Sequence, residues 1–297
     1  MPPLNQEERL RLIAGRVTGI PTLPSVMARV LEMIEDPQTN ASQLARFIAF
    51  DQAYTVKILK LANSAFYGRS RKVGTVEQAL VILGFDEVKN LGLTIAIVDT
   101  FKDSRYYKFL DMNIYWLHTI AVAAACKVTA EAKSLKTPGE LFVAGLLHDI
   151  GSLVMCRDVA EDYPQVMDLM RRDSIPQHEA ELQVLGFTHA DVGGWLTRSW
   201  NLPVHQVGAI TDHHSPHLSI MEPNLSLLVC FANELAWKAK YPSGLCDTPP
   251  APKANAYKKL NLKRDDNGIV DWKYYYGLLA EEMSNAQEYL SVIRQDV

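Results

Sequence analysis

Residues 141–155 read LFVAGLLHDIGSLVM, and how that stretch is buried decides the fold. Apolar residues fill it without the alternation of a half-exposed strand, and His148 and Asp149 stand side by side among them. Buried charge is costly unless it is paired or bound to a metal, so the His–Asp step needs partners from elsewhere in the chain. Just upstream, Thr137-Pro138-Gly139-Glu140 supplies a cap, a proline in the first turn and a glutamate three residues after the cap. The stretch therefore reads as one continuous buried helix carrying both polar side chains.

Helix signals recur on either side. Asp51 can cap a helix in which Tyr54, Ile58, Leu61 and Ala62 share a face. Thr75 with Gln78 fits a capping box, Gly84 fits the end of that helix, and Asp86 fits the start of the next. Thr188 to Asp191, Asn201-Leu202-Pro203 and Pro223-Asn224 mark further starts. DTPPAPKANA (247–256) reads as a surface loop, and Leu279, Met283, Ala286, Leu290 and Ile293 keep helical spacing beyond it. The expected class is all-α.

The histidines supply the partners. His118 shares a helix face with Val122 and Ala125, His189 opens HADVGGWL, and His213-His214 close the helix after Pro203. Neutral imidazoles with one carboxylate suit a first-row divalent metal, and a helical bundle can present them from several helices at once. Gly193-Gly194 and the alanines at 121 and 123–125 would let those helices approach closely. The expected metal ligands are His118, His148, Asp149, His189, His213 and His214, with iron, manganese, nickel or zinc as the ion. A hydrogen-bonded core network of the same residues is the alternative reading.

In this order the residues resemble the HD superfamily of metal-dependent phosphohydrolases, and its HD-GYP branch most. LPSVMARVLEMIEDP (23–37), FDQAYTVKILKLANSAFYG (50–68) and TVEQALVILGFDEVKNLGLTIAI (75–97) are similar to the HDOD, or HD-related output, domain. The resemblance implies an N-terminal helical subdomain over residues 1–105, packed on an HD-type helical core over 106–245. Residues 246–297 are then expected to form a loop and a C-terminal docking helix. It also implies a bacterial signalling output or adaptor protein without catalytic residues of its own, keeping part of an HD metal site. A metal-dependent phosphohydrolase acting on a nucleotide or phosphoester is the alternative. Active HD-GYP enzymes carry Lys after HDIG, where this chain has Ser152, and Glu one turn before the first histidine, where it has Ile114. Their GYP loop is replaced by HHSPHLSIMEPN (213–224), and their last aspartate ligand falls at Asn233. Asp191 and Asp212 are the nearest substitutes.

Composition narrows the partners. The 297 residues are 48% hydrophobic, enough for a sizeable core, and carry a net charge of −4 with a pI near 6.1. Nucleic acid is therefore not an expected partner; Arg69, Ser70, Arg71 and Lys72 form only a small basic patch. A signalling protein, with a small nucleotide as a further ligand, is the expected partner. The uncharged run Met112 to Cys126 is short for a membrane span, and the first fifteen residues are charged where a signal peptide would be apolar. Cys126, Cys156, Cys230 and Cys246 form no CxxC pair and are read as reduced, mostly buried thiols of a cytoplasmic protein.

Overall fold

The computed structural model describes residues 6–17, 19, 21–67, 72–102, 108–135, 138–219, 223–245 and 256–286. These residues are mainly helical, with no β-strand among them and one isolated antiparallel bridge between Arg264 and Val270. Arg69, Ser70, Arg71, Thr137, Cys246, Leu290, Ile293 and nearly all of the 247–256 loop lie outside the described residues.

Contacts divide the chain into two units. One comprises Pro21–Asp103 and Ala280–Val297. It contains α2 (Ser25–Glu35), α3 (Ala41–Ala49), α4 (Gln52–Ala62), α5 (Val76–Leu83) and α6 (Phe85–Thr100). Asp51 caps α4, its carboxylate accepting from Tyr54 N at 2.9 Å, and Tyr54, Ile58, Leu61 and Ala62 are buried as their spacing requires. Thr75 caps α5 by accepting from Gln78 N at 3.1 Å, but the Gln78 side chain accepts from Gly74 N, so the expected reciprocal box is only half formed. Gly84, at φ 92°, ends α5 and directly precedes α6, which begins at Phe85, one residue ahead of Asp86.

The other unit comprises Met1–Ile20 and Ser104–Leu279. The expectation placed residues 1–105 in one subdomain; the contacts place α1 (Gln6–Arg16) with the second unit instead. Arg9 of α1 reaches Asp191 at 3.0 Å, and Ile13 and Val17 are buried.

The centre of this second unit is α7 (Met112–Ala132), against which α8 (Pro138–Leu147) and α14 (Pro223–Lys238) pack. α9 (Ile150–Asp158), α10 (Tyr163–Asp173), α11 (Gln177–Leu185), α12 (His189–Ser199) and α13 (Val204–Thr211) follow in turn. The chain from Gly139 to Asp158 is long and apolar enough to cross a membrane by composition, yet 89% of it is buried inside the protein. Here it is core, as the apolar character of 141–155 predicts.

The stretch 141–155 is not one helix. α8 ends at Leu147, a turn holds His148 and Asp149, and α9 starts at Ile150. Successive residues of a continuous helix point about 100° apart, so His148 and Asp149 could not both face one spot. The turn removes that conflict. Asp149 leaves helical geometry at φ −102°, ψ 11°, and both side chains turn into the core. Gly151 lets α9 lie directly on α12: a Cβ there would collide with His189 O and sit 2.6 Å from Gly193 N.

Candidate metal centre

Each of the six expected ligands comes from a helix end or a helix face of the second unit. His118 lies on the inner face of α7, and His148 and Asp149 sit in the α8–α9 turn. His189 is the first residue of α12, and His213 and His214 follow the end of α13. The start of α12 is held by a complete capping box. The Thr188 side chain accepts from Asp191 N, and the Asp191 carboxylate accepts from Thr188 N at 2.9 Å.

The structure brings all six together around the Asp149 carboxylate. Its Oδ2 lies 3.2 Å from His148 Nε2 and 3.8 Å from His118 Nε2. Its Oδ1 lies 3.2 Å from His189 Nε2 and 3.5 Å from His213 Nε2. His214 Nε2 is 2.8 Å from His189 Nε2. The donor atoms of Asp149, His189, His213 and His214 lie within 4.8 Å of one another, and so do those of His118, His148 and Asp149. Asp149 belongs to both groups.

The tautomers follow from the outer contacts. His118 Nδ1 lies 2.7 Å from Tyr241 O, His148 Nδ1 is 2.8 Å from Gly145 O, and His213 Nδ1 is 2.6 Å from Ile210 O. A carbonyl only accepts, so each Nδ1 carries the proton and donates it. Each neutral ring then presents a bare Nε2 lone pair to the centre. Among the described residues, His118 Nε2, His148 Nε2, His213 Nε2 and Asp149 Oδ1 are buried without a hydrogen-bond partner. Lone pairs and a carboxylate converging in a dry core need positive charge among them, which a bound cation or a protonated His189 supplies. The 3.2–3.8 Å separations are long for charge-assisted hydrogen bonds. Bonds of about 2.1 Å place ligands of one ion roughly 3 to 3.5 Å apart; the separations to His148, His189 and His213 fall in that window, and the 3.8 Å to His118 lies just beyond it. The residues therefore form a buried cluster that could hold a divalent metal.

His189 is anchored differently. Its Nδ1 lies 2.7 Å from Glu181 Oε2, and its backbone N–H donates to the same oxygen at 2.8 Å. Glu181 Oε1 accepts from Tyr163 Oη at 2.9 Å and from Gln177 Nε2 at 2.8 Å. Gln177 also donates to Ser152 Oγ at 3.2 Å. Burial would raise the Glu181 carboxyl, but the His189 charge and these hydrogen bonds hold it below its usual range. Burial would lower His189, but the charges of Glu181 and Asp149 outweigh it and push the metal-free imidazole up to about 10. Burial takes His118 the other way, down to about 4, helped by the neighbouring His148.

Glu181, Gln177, Tyr163 and the ring of His178, stacked 4.0 Å from that of His214, were not singled out from the sequence. Glu181 lies eight positions before His189 in an ordinary amphipathic helix, and no spacing rule links the two. The expected substitute carboxylates stay outside both donor groups. Asp191 is committed to the α12 cap and to Arg9, and Asp212 bonds Ser219. Ile114 is 37% exposed. Asn233 is buried, with an Oδ1 that has no partner among the described residues. Cys126, Cys156 and Cys230 are buried free thiols.

Comparison with known proteins agrees with this architecture. An HDOD domain protein of unknown function from Geobacter sulfurreducens has a TM-score of 0.75 and 25% identity, covering 99% of both chains. A structure from Shewanella amazonensis, provisionally named a phosphohydrolase, shares the fold at a TM-score of 0.68 and 21% identity over 95% of this chain and 98% of that one. So does one from Marinobacter aquaeolei, provisionally named a signal transduction protein, at 0.73 and 21% over 98% of this chain and 66% of that one. Among curated sequences, an uncharacterised protein of Treponema pallidum is 28% identical over 225 residues, 74% of this chain and 43% of the relative. The uncharacterised protein YuxH of Bacillus subtilis is 24% identical over 50% of this chain and 34% of its own length. The chain thus spans less than half the length of the curated relatives it matches. The HDOD domain family matches residues 20–216, well over half of the sequence, and the chain belongs to that family.

Proposed function

We propose that this chain is a bacterial signalling module of the HDOD type that acts by binding a protein partner. Its core holds a divalent transition metal on His118, His148, Asp149, His189, His213 and His214, and it does not turn over phosphodiesters. The observation that carries this reading is how deeply the donors are enclosed. The side chains of His118, His148 and His213 are fully buried and that of Asp149 is 7% exposed; His214, at the edge of the cluster, is half-buried. A phosphodiester must reach the ion to be attacked, whereas a fixed or sensing metal only needs to be held. A bound ion would supply Lewis-acid polarisation, but stabilising a two-metal transition state also calls for negative ligands, and among the described residues Asp149 is the one carboxylate in the cluster. The signal-transduction name of the Marinobacter protein is in line with this role.

A second reading, a metal-dependent phosphohydrolase acting on a nucleotide or phosphoester, is favoured by one observation. The two oxygens of Asp149 face separate imidazole groups, as in a carboxylate bridging two ions. Elemental analysis of the purified protein, followed by assay of cyclic di-GMP turnover after loading with manganese or ferrous iron, decides between them. Stoichiometric metal without turnover is the expected result. Sustained turnover that vanishes in Asp149→Ala would establish the hydrolase instead, and protein free of metal after loading would overturn both.

A further inference from the structure

We infer that Glu181 is the charge-balancing carboxylate of the metal centre, a positioning residue that acts on the ion through His189. The inference rests on the metal reading above and extends it one bond outward. The donor set holds five imidazoles and one carboxylate, so a divalent ion on neutral rings leaves one positive charge in a dry core. Glu181 is buried 2.7 Å from His189 Nδ1, on the side of the ring away from Asp149. Tyr163 and Gln177, its other partners, are neutral donors. No Lys or Arg contacts it among the described residues, so its charge is balanced through the imidazole and the ion beyond. Asp149, Glu181 and a divalent cation then sum to zero.

The geometry also sets which nitrogen of His189 is free. Both bonds to Glu181 Oε2 fix the ring with Nδ1–H outward and Nε2 facing Asp149 and His214. A carboxylate acceptor makes the imidazole a stronger ligand than a carbonyl acceptor does, and such outer partners are worth about 10–100-fold in metal affinity. His118, His148 and His213 donate to carbonyls, so of these four rings His189 is the one whose outer acceptor is a carboxylate. Neutrality with a divalent ion further predicts that the centre favours the divalent over the trivalent state.

The test uses the full chain and Co²⁺, which reports its ligand field in the visible spectrum. Affinity is measured by chelator competition for wild type and Glu181→Gln, which keeps the shape and removes the charge. The expected result is binding weaker by about 10–100-fold with a shifted cobalt spectrum. The metal-free melting temperature should fall in this variant, because His189 loses its buried charge partner, so affinity and spectrum carry the test. Glu181→Asp, which keeps the charge but withdraws it from His189, should also bind more weakly, and it serves if the Gln variant does not fold. Wild-type affinity in the variants, or lost metal-free stability with an unchanged spectrum, overturns the inference and leaves the metal reading standing. Wild-type protein that binds no Co²⁺, Zn²⁺, Mn²⁺ or Fe²⁺ overturns both.

Discussion

Replacing Gly151 by Ala should damage this protein more than a single methyl group suggests. The added Cβ would stand 2.6 Å from Gly193 N and 2.9 Å from His189 C, and closer still to His189 O. All three are backbone atoms of α12, so no side chain can swing aside. Reaching van der Waals separation near 3.5 Å from all three atoms requires α9 and α12 to part by about 1.5 Å, the contact with His189 O setting the distance. Overpacking a well-filled core costs typically about 1–3 kcal/mol, and two rigid backbones put this site at the upper end, about 3 kcal/mol. The same movement draws His189 away from Asp149 Oδ1, now 3.2 Å distant, so metal affinity should fall as well. Gly277, exposed on α15 (Trp272–Asn285) where an added methyl would meet nothing within 4 Å, is the matched control. There Gly→Ala should stabilise by about 0.5–1 kcal/mol through helix propensity. Urea titration of the metal-free variants, with the slope held common, measures both. A loss below about 1 kcal/mol for Gly151→Ala would refute the close α9–α12 packing, since overpacking of this kind costs more.

Asp149→Asn should keep native helicity while weakening metal binding by more than about 100-fold, exceeding the effect of losing an outer partner; chelator competition checks it. Metal uptake near pH 7 should release the His189 proton. The metal-free His189 is protonated up to about pH 10, while His118, lowered to about 4, is already bare. Affinity should therefore rise about tenfold per pH unit through the neutral range, and calorimetry in buffers of different protonation enthalpy would expose a missing proton. Asp191→Ala removes the reciprocal half of the α12 cap and the Arg9 ion pair together, and should cost about 1–2 kcal/mol in thermal or urea unfolding.

Local chemistry alone determined the all-helical class and most helix starts. Asp51, Thr75, Thr188 and Pro203 act within three or four residues of themselves, so their effect is readable from neighbours in the chain. That the six residues of the buried cluster would meet was legible for a related reason: a buried His–Asp step and a His–His step are too costly to stand without partners, whatever the fold. What the sequence could not decide was direction. Helical periodicity carried 141–155 straight through His148 and Asp149, whereas the packing of α9 on α12 breaks the helix there so that both side chains face one point. Glu181 and Tyr163 were invisible for the same reason, because their roles arise from contacts across 8 and 18 residues that no local pattern encodes. Tertiary packing also set α1 beside α12 through Arg9 and Asp191, 182 residues apart, and so took from Asp191 the ligand role its position beside His189 had suggested.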